Sequence, residues 1–129
     1  MQIRLIFALA LASSTSLSVA GQPSESLLQA LSLELQSARS LPQGAQTAFR
    51  CPKDGGILIG TRYEAIRKAL GEPDFVEPNG ARGSISSPRW TYSFTGARPA
   101  GERGGGFPEL SFVLEKTGAV AAVWCSYVR

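Results

Sequence analysis

Cys51 and Cys125 are the only thiols in a chain of 129 residues that has no histidine. That combination removes whole classes of chemistry. Ser-His-Asp and Cys-His nucleophilic pairs need an imidazole base, and the commonest metal ligand is missing too. Two cysteines without histidine also cannot supply the ordinary structural zinc patterns. The cysteines are left either as one disulfide, with a single possible internal pairing, or as two free buried thiols. The compartment decides between them. Met1 and Gln2 precede a positive Arg4, an apolar run from Leu5 to Ala12, and a small polar stretch ending Ser18-Val19-Ala20. These are the three regions of an export signal, and the apolar run is too short to span a bilayer. The reading is a signal peptide over 1–20, cleaved near Ala20, followed by one periplasmic domain over 21–129. In that oxidising setting Cys51 and Cys125 pair and close a loop of roughly 75 residues, worth about 4 kcal/mol in the chain-entropy model.

Other chemistry is weakly signalled. Residues 96–106 read Gly-Ala-Arg-Pro-Ala-Gly-Glu-Arg-Gly-Gly-Gly. A phosphate-binding loop needs Lys-Ser or Lys-Thr after its last glycine, opening a helix; here Phe107-Pro108 follows and then a strand. A flexible hairpin connection is the plainer reading, in which Arg98, Arg103 and Phe107 are candidates for contacting a partner. Asp74 and Glu77 read as solvated turn acids, with no pair of carboxylates set across a cleft. Lys53, Lys68 and Lys116 read as exposed. No catalytic residue, cofactor or metal is expected. Loss of Arg4 lowers the formal net charge of +3 by one, too small a surplus to indicate nucleic acid.

The elements that must position these residues follow from periodicity. Residues 24–40 predict a helix, capped by Ser24 or Ser26, with Leu27, Leu28, Leu31, Leu35 and Ala38 on one face and Leu33 off it. Ile57-Leu58-Ile59 is a short apolar piece expected beneath the next helix. Thr61-Arg62-Tyr63-Glu64 reads as a capping box opening that second helix. Tyr63, Ile66 and Leu70 form its stripe, and Gly71 and Pro73 end it. Arg89 to Thr95 alternates, with Trp90, Tyr92 and Phe94 inward and Arg89, Thr91, Ser93 and Thr95 outward. Glu109–Glu115 and Ala119–Val128 then form a hairpin around Lys116-Thr117-Gly118. Helices precede strands, so the class is α+β: two helices on one face of a three-stranded antiparallel sheet.

The disulfide would also assign faces. Cys51 lies just before the second helix, so Cys125 must face the helix layer, and Val123 and Tyr127 with it. Val120, Ala122 and Trp124 then fall on the opposite face. That patch is either a partner site, centred on Trp124 and Val120, or is covered by the first helix or a loop.

From Gly60 onward the chain resembles the family of the small outer-membrane lipoprotein of the β-barrel assembly machinery, BamE or SmpA. The resemblance rests on Gly60-Thr61, Ile66, Leu70-Gly71-Glu72-Pro73-Asp74, Trp90-Thr91-Tyr92 and Gly118-Ala119-Val120. It spans roughly residues 57–124, and the units of the β-lactamase inhibitory protein look similar. It implies two helices on a three-stranded sheet and a non-catalytic, protein-binding role. That family is lipidated on a cysteine directly after its signal; here Gly21-Gln22 stands there, so no membrane anchor is expected. The resulting expectation is a protein-binding module, either an inhibitor or immunity protein for an envelope enzyme or an accessory of envelope assembly.

Overall fold

The computed structural model describes residues 22–43, 45, 47–78, 87–96 and 107–127; residues 1–20, expected to form an export signal, lie outside them. Helix α1 spans Pro23–Arg39 and helix α2 spans Tyr63–Leu70, with a 3₁₀ turn at Gly55–Leu58 between them. Four strands follow: β1 Phe75–Glu77, β2 Arg89–Ser93, β3 Pro108–Leu114 and β4 Val120–Tyr127. They pair antiparallel in the order β1-β2-β3-β4. The α+β class and the helix-before-strand order hold; the three-stranded expectation does not, because β1 adds a fourth strand at the edge beside β2.

Helix α1 begins one residue before the expected serine caps. Pro23 occupies the first turn, where its missing N–H costs nothing, and neither Gln22 nor a serine side chain caps the open amides. Leu28, Leu31, Leu35 and Ala38 are buried and Leu33 is exposed, as the 3.6-residue stripe requires. The capping box of α2 is absent. Its N-cap is Arg62, and no side chain caps it. Thr61 is instead recruited to the sheet: its carbonyl accepts from the Val120 N–H at 2.8 Å, while the Gly60 N–H donates to the Val120 carbonyl at 2.7 Å. Arg62 bonds the Thr117 carbonyl at 2.8 Å and reaches Glu64 at 3.3 Å, and its guanidinium holds the Glu64 carboxyl below its ordinary value. A main-chain bridge to β4 has replaced a local cap. Gly71 ends α2 with φ of 77°, the positive φ expected there. Of the apolar triplet, only Leu58 is buried; Ile57 and Ile59 are exposed.

The core lies between the helices and one sheet face. Trp90 and Tyr92 from β2, Phe94 just after it, Leu110, Phe112 and Leu114 from β3, and Val120 from β4 meet Leu28, Leu31, Leu35, Ile66 and Leu70. Phe49 stacks on Phe94 at 3.8 Å between ring centroids, and Tyr63 meets Trp90 edge-on at 5.7 Å. In the turn joining β3 to β4, Gly118 has φ of 85°, and a β-carbon there would sit 2.7 Å from the Tyr63 ring. Backbone conformation and space both demand glycine at that position.

Two acids behave unlike solvated turn residues. The Asp74 side chain has no exposed surface. Its two oxygens accept from Arg39 Nη2, both at 2.9 Å, and one also accepts the Ser93 N–H at 2.8 Å. Glu77 lies in β1 opposite Arg89. The segment after α2 is thus stitched to the end of α1 and to β2, and this is what turns Phe75–Glu77 into a strand. β2 in turn becomes a central strand. Its second face is buried too, with Thr91, Ser93 and Thr95 at 5 % exposure or less, where one buried face had been expected.

Tyr92 carries a pH dependence. Its hydroxyl donates to the Gly71 carbonyl at 2.8 Å, and burial, reinforced by the Glu72 carboxylate, raises its pKa well above the ordinary 10.0. The folded chain then keeps a proton that the unfolded chain releases near pH 10. Stability from this group is complete below that value and is lost as pH rises past it. Tyr92→Phe should cost about 1 kcal/mol at neutral pH, for one hydrogen bond, and should flatten the alkaline fall. Urea melts from neutral pH to about pH 11 would measure both; equal alkaline slopes in the two proteins would exclude Tyr92 as the cause.

Candidate protein-binding surface

The surface is built on β4, and its shape is set by a bulge. Phe112 pairs with Val123, Ser111 with Trp124 and Leu110 with Cys125, but Val113 pairs with Ala122 and Leu114 with Val120, so Ala121 is the extra residue. An extra residue reverses side-chain parity on one side of it. Val123 and Cys125 face the helices, as expected, and so does Val120, which is 1 % exposed in the core. Strict alternation had placed Val120 beside Trp124 on the outer face. The bulge overturns that assignment, and Val120 is removed from the candidate site. The Tyr127 side chain lies outside what is described.

Cys51 and Cys125 are bonded, with S–S 1.97 Å and Cα atoms 5.7 Å apart. The bond fastens the coil before the 3₁₀ turn to the middle of β4, and Val123 packs within 3.4 Å of the β-carbon position of Gly55. Trp124, between Val123 and Cys125, therefore sits on a strand held from its other face, and it is 61 % exposed. Burying an indole of this size against a partner is the kind of contact that dominates interface energetics.

The outer face is not bare as a whole. Thr91 and Ser111 share a hydrogen bond of 2.8 Å, and both are buried, with Ser93 and Glu109. The open part is the β4 margin at Trp124 and Ser126. Phe107 is half-buried just before β3. It lies four residues from Ser111, the strand partner of Trp124, so roughly 13 Å along the strand. The structure therefore does not bring Phe107 beside the indole. Arg98 and Arg103, with most of the glycine-rich loop, lie outside the described residues.

Two basic residues had no role assigned from the sequence, although Lys53 was read there as exposed. Arg50 and Lys53 are exposed on either side of Cys51, and neither is ion-paired among the described residues. Only their spacing to Cys51 could have signalled them, once the disulfide tied that cysteine to β4. Elsewhere, α1 and α2 flank an open groove of about 680 Å³ whose walls include Leu28, Leu33, Ala65 and Ala69. Among the described residues no three Cys, Asp or Glu side chains are grouped to hold a metal ion, and no helix is long and apolar enough to cross a membrane. Comparison with protein-family models, with characterised proteins and with solved structures found no match to this chain.

Proposed function

We propose that this chain is an exported protein-binding module of the periplasm, which acts by contact and performs no chemistry. Its most specific form is an inhibitor or immunity protein that occupies a site on an envelope enzyme. The observation that supports this reading is Trp124: a large exposed indole on a strand that the sheet on one side and a disulfide on the other hold in place. Preorganisation of that kind reduces the ordering cost of association. A second reading, an accessory of outer-membrane assembly, is favoured by the Gly60–Val120 resemblance and by the two helices that precede an antiparallel sheet.

Trp124→Ala is the direct test. Because the indole is mostly in solvent, folding stability should change by about 0.5 kcal/mol or less. Affinity for the partner should fall by about 2 kcal/mol, roughly thirtyfold. Recovery from envelope extract of one hydrolase whose activity drops on mixing supports the inhibitor reading. Recovery of barrel-assembly components supports the second. An affinity unchanged by Trp124→Ala would remove this surface from consideration.

A further inference from the structure

The two edges of the sheet are finished differently. β1 is three residues long and runs into Pro78, which has no N–H to offer; shortness and proline both stop a sheet from pairing. β4 is eight residues long and contains neither charge nor proline. Among the described residues, main-chain bonds close its outer edge at its first residue alone, where Gly60 and Thr61 bond Val120. The direction of the other groups follows from the ladder. The Leu114 N–H donates to the Pro88 carbonyl, and the Pro108 carbonyl accepts from the Phe94 N–H. The even-numbered residues of β3 therefore direct their main-chain groups to the β2 side. Glu109, Ser111 and Val113 direct theirs to β4, where Ser126, Trp124 and Ala122 face back. Val123 and Cys125 are left with N–H and C=O pointing away from the sheet, and no described residue bonds to them there.

The geometry points to β4 as a docking edge for an extended, acidic segment of a partner protein, which adds a fifth strand by pairing with Val123 and Cys125. This rests on the protein-binding reading above and names the partner's chemistry. A row of open backbone donors and acceptors at two-residue spacing fits an extended chain. Charge selects its character. Arg50 and Lys53 flank Cys51, whose Cα is 5.7 Å from that of Cys125, and they outnumber Asp54, the acid within residues 50–54; Glu109, opposite Ser126, is buried. An acidic segment is drawn to them. A second copy of this chain would set the same basic pair against itself, which is unfavourable. In the new ladder Trp124 takes a non-hydrogen-bonded position, where facing side chains approach most closely. An alternating segment would place one set of side chains on the indole and the other toward Arg50 and Lys53.

The test uses the isotope-labelled, disulfide-bonded protein and three synthetic octapeptides: one alternating valine and glutamate, one with lysine for glutamate, and the acidic one N-methylated at alternate residues. The acidic peptide should slow amide exchange at Val123 and Cys125 by at least about tenfold, more than at Ala122 and Trp124, which the β3 ladder already protects. The lysine and N-methylated peptides should bind at least about tenfold more weakly, as should the acidic peptide to an Arg50→Ala/Lys53→Ala variant. Val123→Pro removes an N–H that no ladder bond uses, and should abolish binding in a protein that still melts cooperatively. No binding of the acidic peptide overturns the proposal. Trp124 emission that saturates with peptide while Val123 and Cys125 exchange as before also overturns it, and leaves the Trp124 surface standing. Protected edge amides with an affinity indifferent to Trp124→Ala support the edge and remove Trp124 instead. A dimer with protected edge amides in the absence of peptide overturns the acidic occupant.

Discussion

Replacing Cys51 and Cys125 together by serine is expected to lower folding stability by about 4 kcal/mol. The bond joins residues 74 apart in sequence, so its removal restores a large part of the unfolded chain's freedom. For a domain near 100 residues, that corresponds to a melting temperature lower by roughly 15 °C or more. Most of the effect acts on the unfolded state, because the β3–β4 ladder and the Gly60–Thr61 bonds to Val120 hold β4 without the sulfurs. The near-native fold should therefore persist at low temperature, with an unchanged far-ultraviolet spectrum. Thermal melts with and without a reductant on the wild type, beside the double serine variant, provide the measurement. A reduced wild type that melts within a few degrees of the oxidised protein would show that this crosslink contributes little to stability.

Asp74→Ala is the second large effect, at about 3 kcal/mol. Breaking a buried ion pair from one side typically costs 3–5 kcal/mol, and the carboxylate here is fully enclosed. The Arg39 side chain retains 28 % exposure, so water can recover part of its hydration, which places the cost at the lower end. The Ser93 N–H also loses its acceptor, and β1 loses the anchor that directs it along β2. Asp74→Asn should cost less, since one acceptor survives. Chemical denaturation of both variants and of Arg39→Leu, combined as a double-mutant cycle, separates the pair from the Ser93 contact. Arg39→Leu and Asp74→Ala effects that simply add would mean that the two side chains are not coupled.

What could be read in the chain was whatever repeats locally. The stripe of α1, the Tyr63–Ile66–Leu70 face of α2 and the alternation of Trp90, Tyr92 and Phe94 each signal themselves within a few residues. β1 does not. Phe75-Val76-Glu77 is too short for a period, and it becomes a strand through Asp74, whose partner Arg39 is 35 residues distant. The Thr61–Glu64 box failed for a related reason: a tertiary bridge to Val120 claimed the backbone that a local cap would have used. At the candidate site, Trp124 was legible because the disulfide orients Cys125 and alternation carries that orientation one residue back. Val120 was not, since nothing in Val-Ala-Ala-Val announces the bulge at Ala121. The open edge of β4 was hidden as well, because edge status depends on strand order, a property of the assembled sheet.

The Cys51–Cys125 bond has a mechanical consequence. A pull applied at the two ends of the chain would pass from Cys51 directly into Cys125 and bypass everything between them. Residues 52–124, which include α2 and β1 to β3, would bear no tension however far the ends were drawn, and only α1, the coil after it and the last few residues could extend. At about 3.6 Å per extended residue, roughly 260 Å of contour would stay hidden until the sulfurs were reduced. For a protein exposed to shear or to a partner that tugs on it, the crosslink would keep all of the sheet except the end of β4 from Cys125 to Tyr127 out of the line of force.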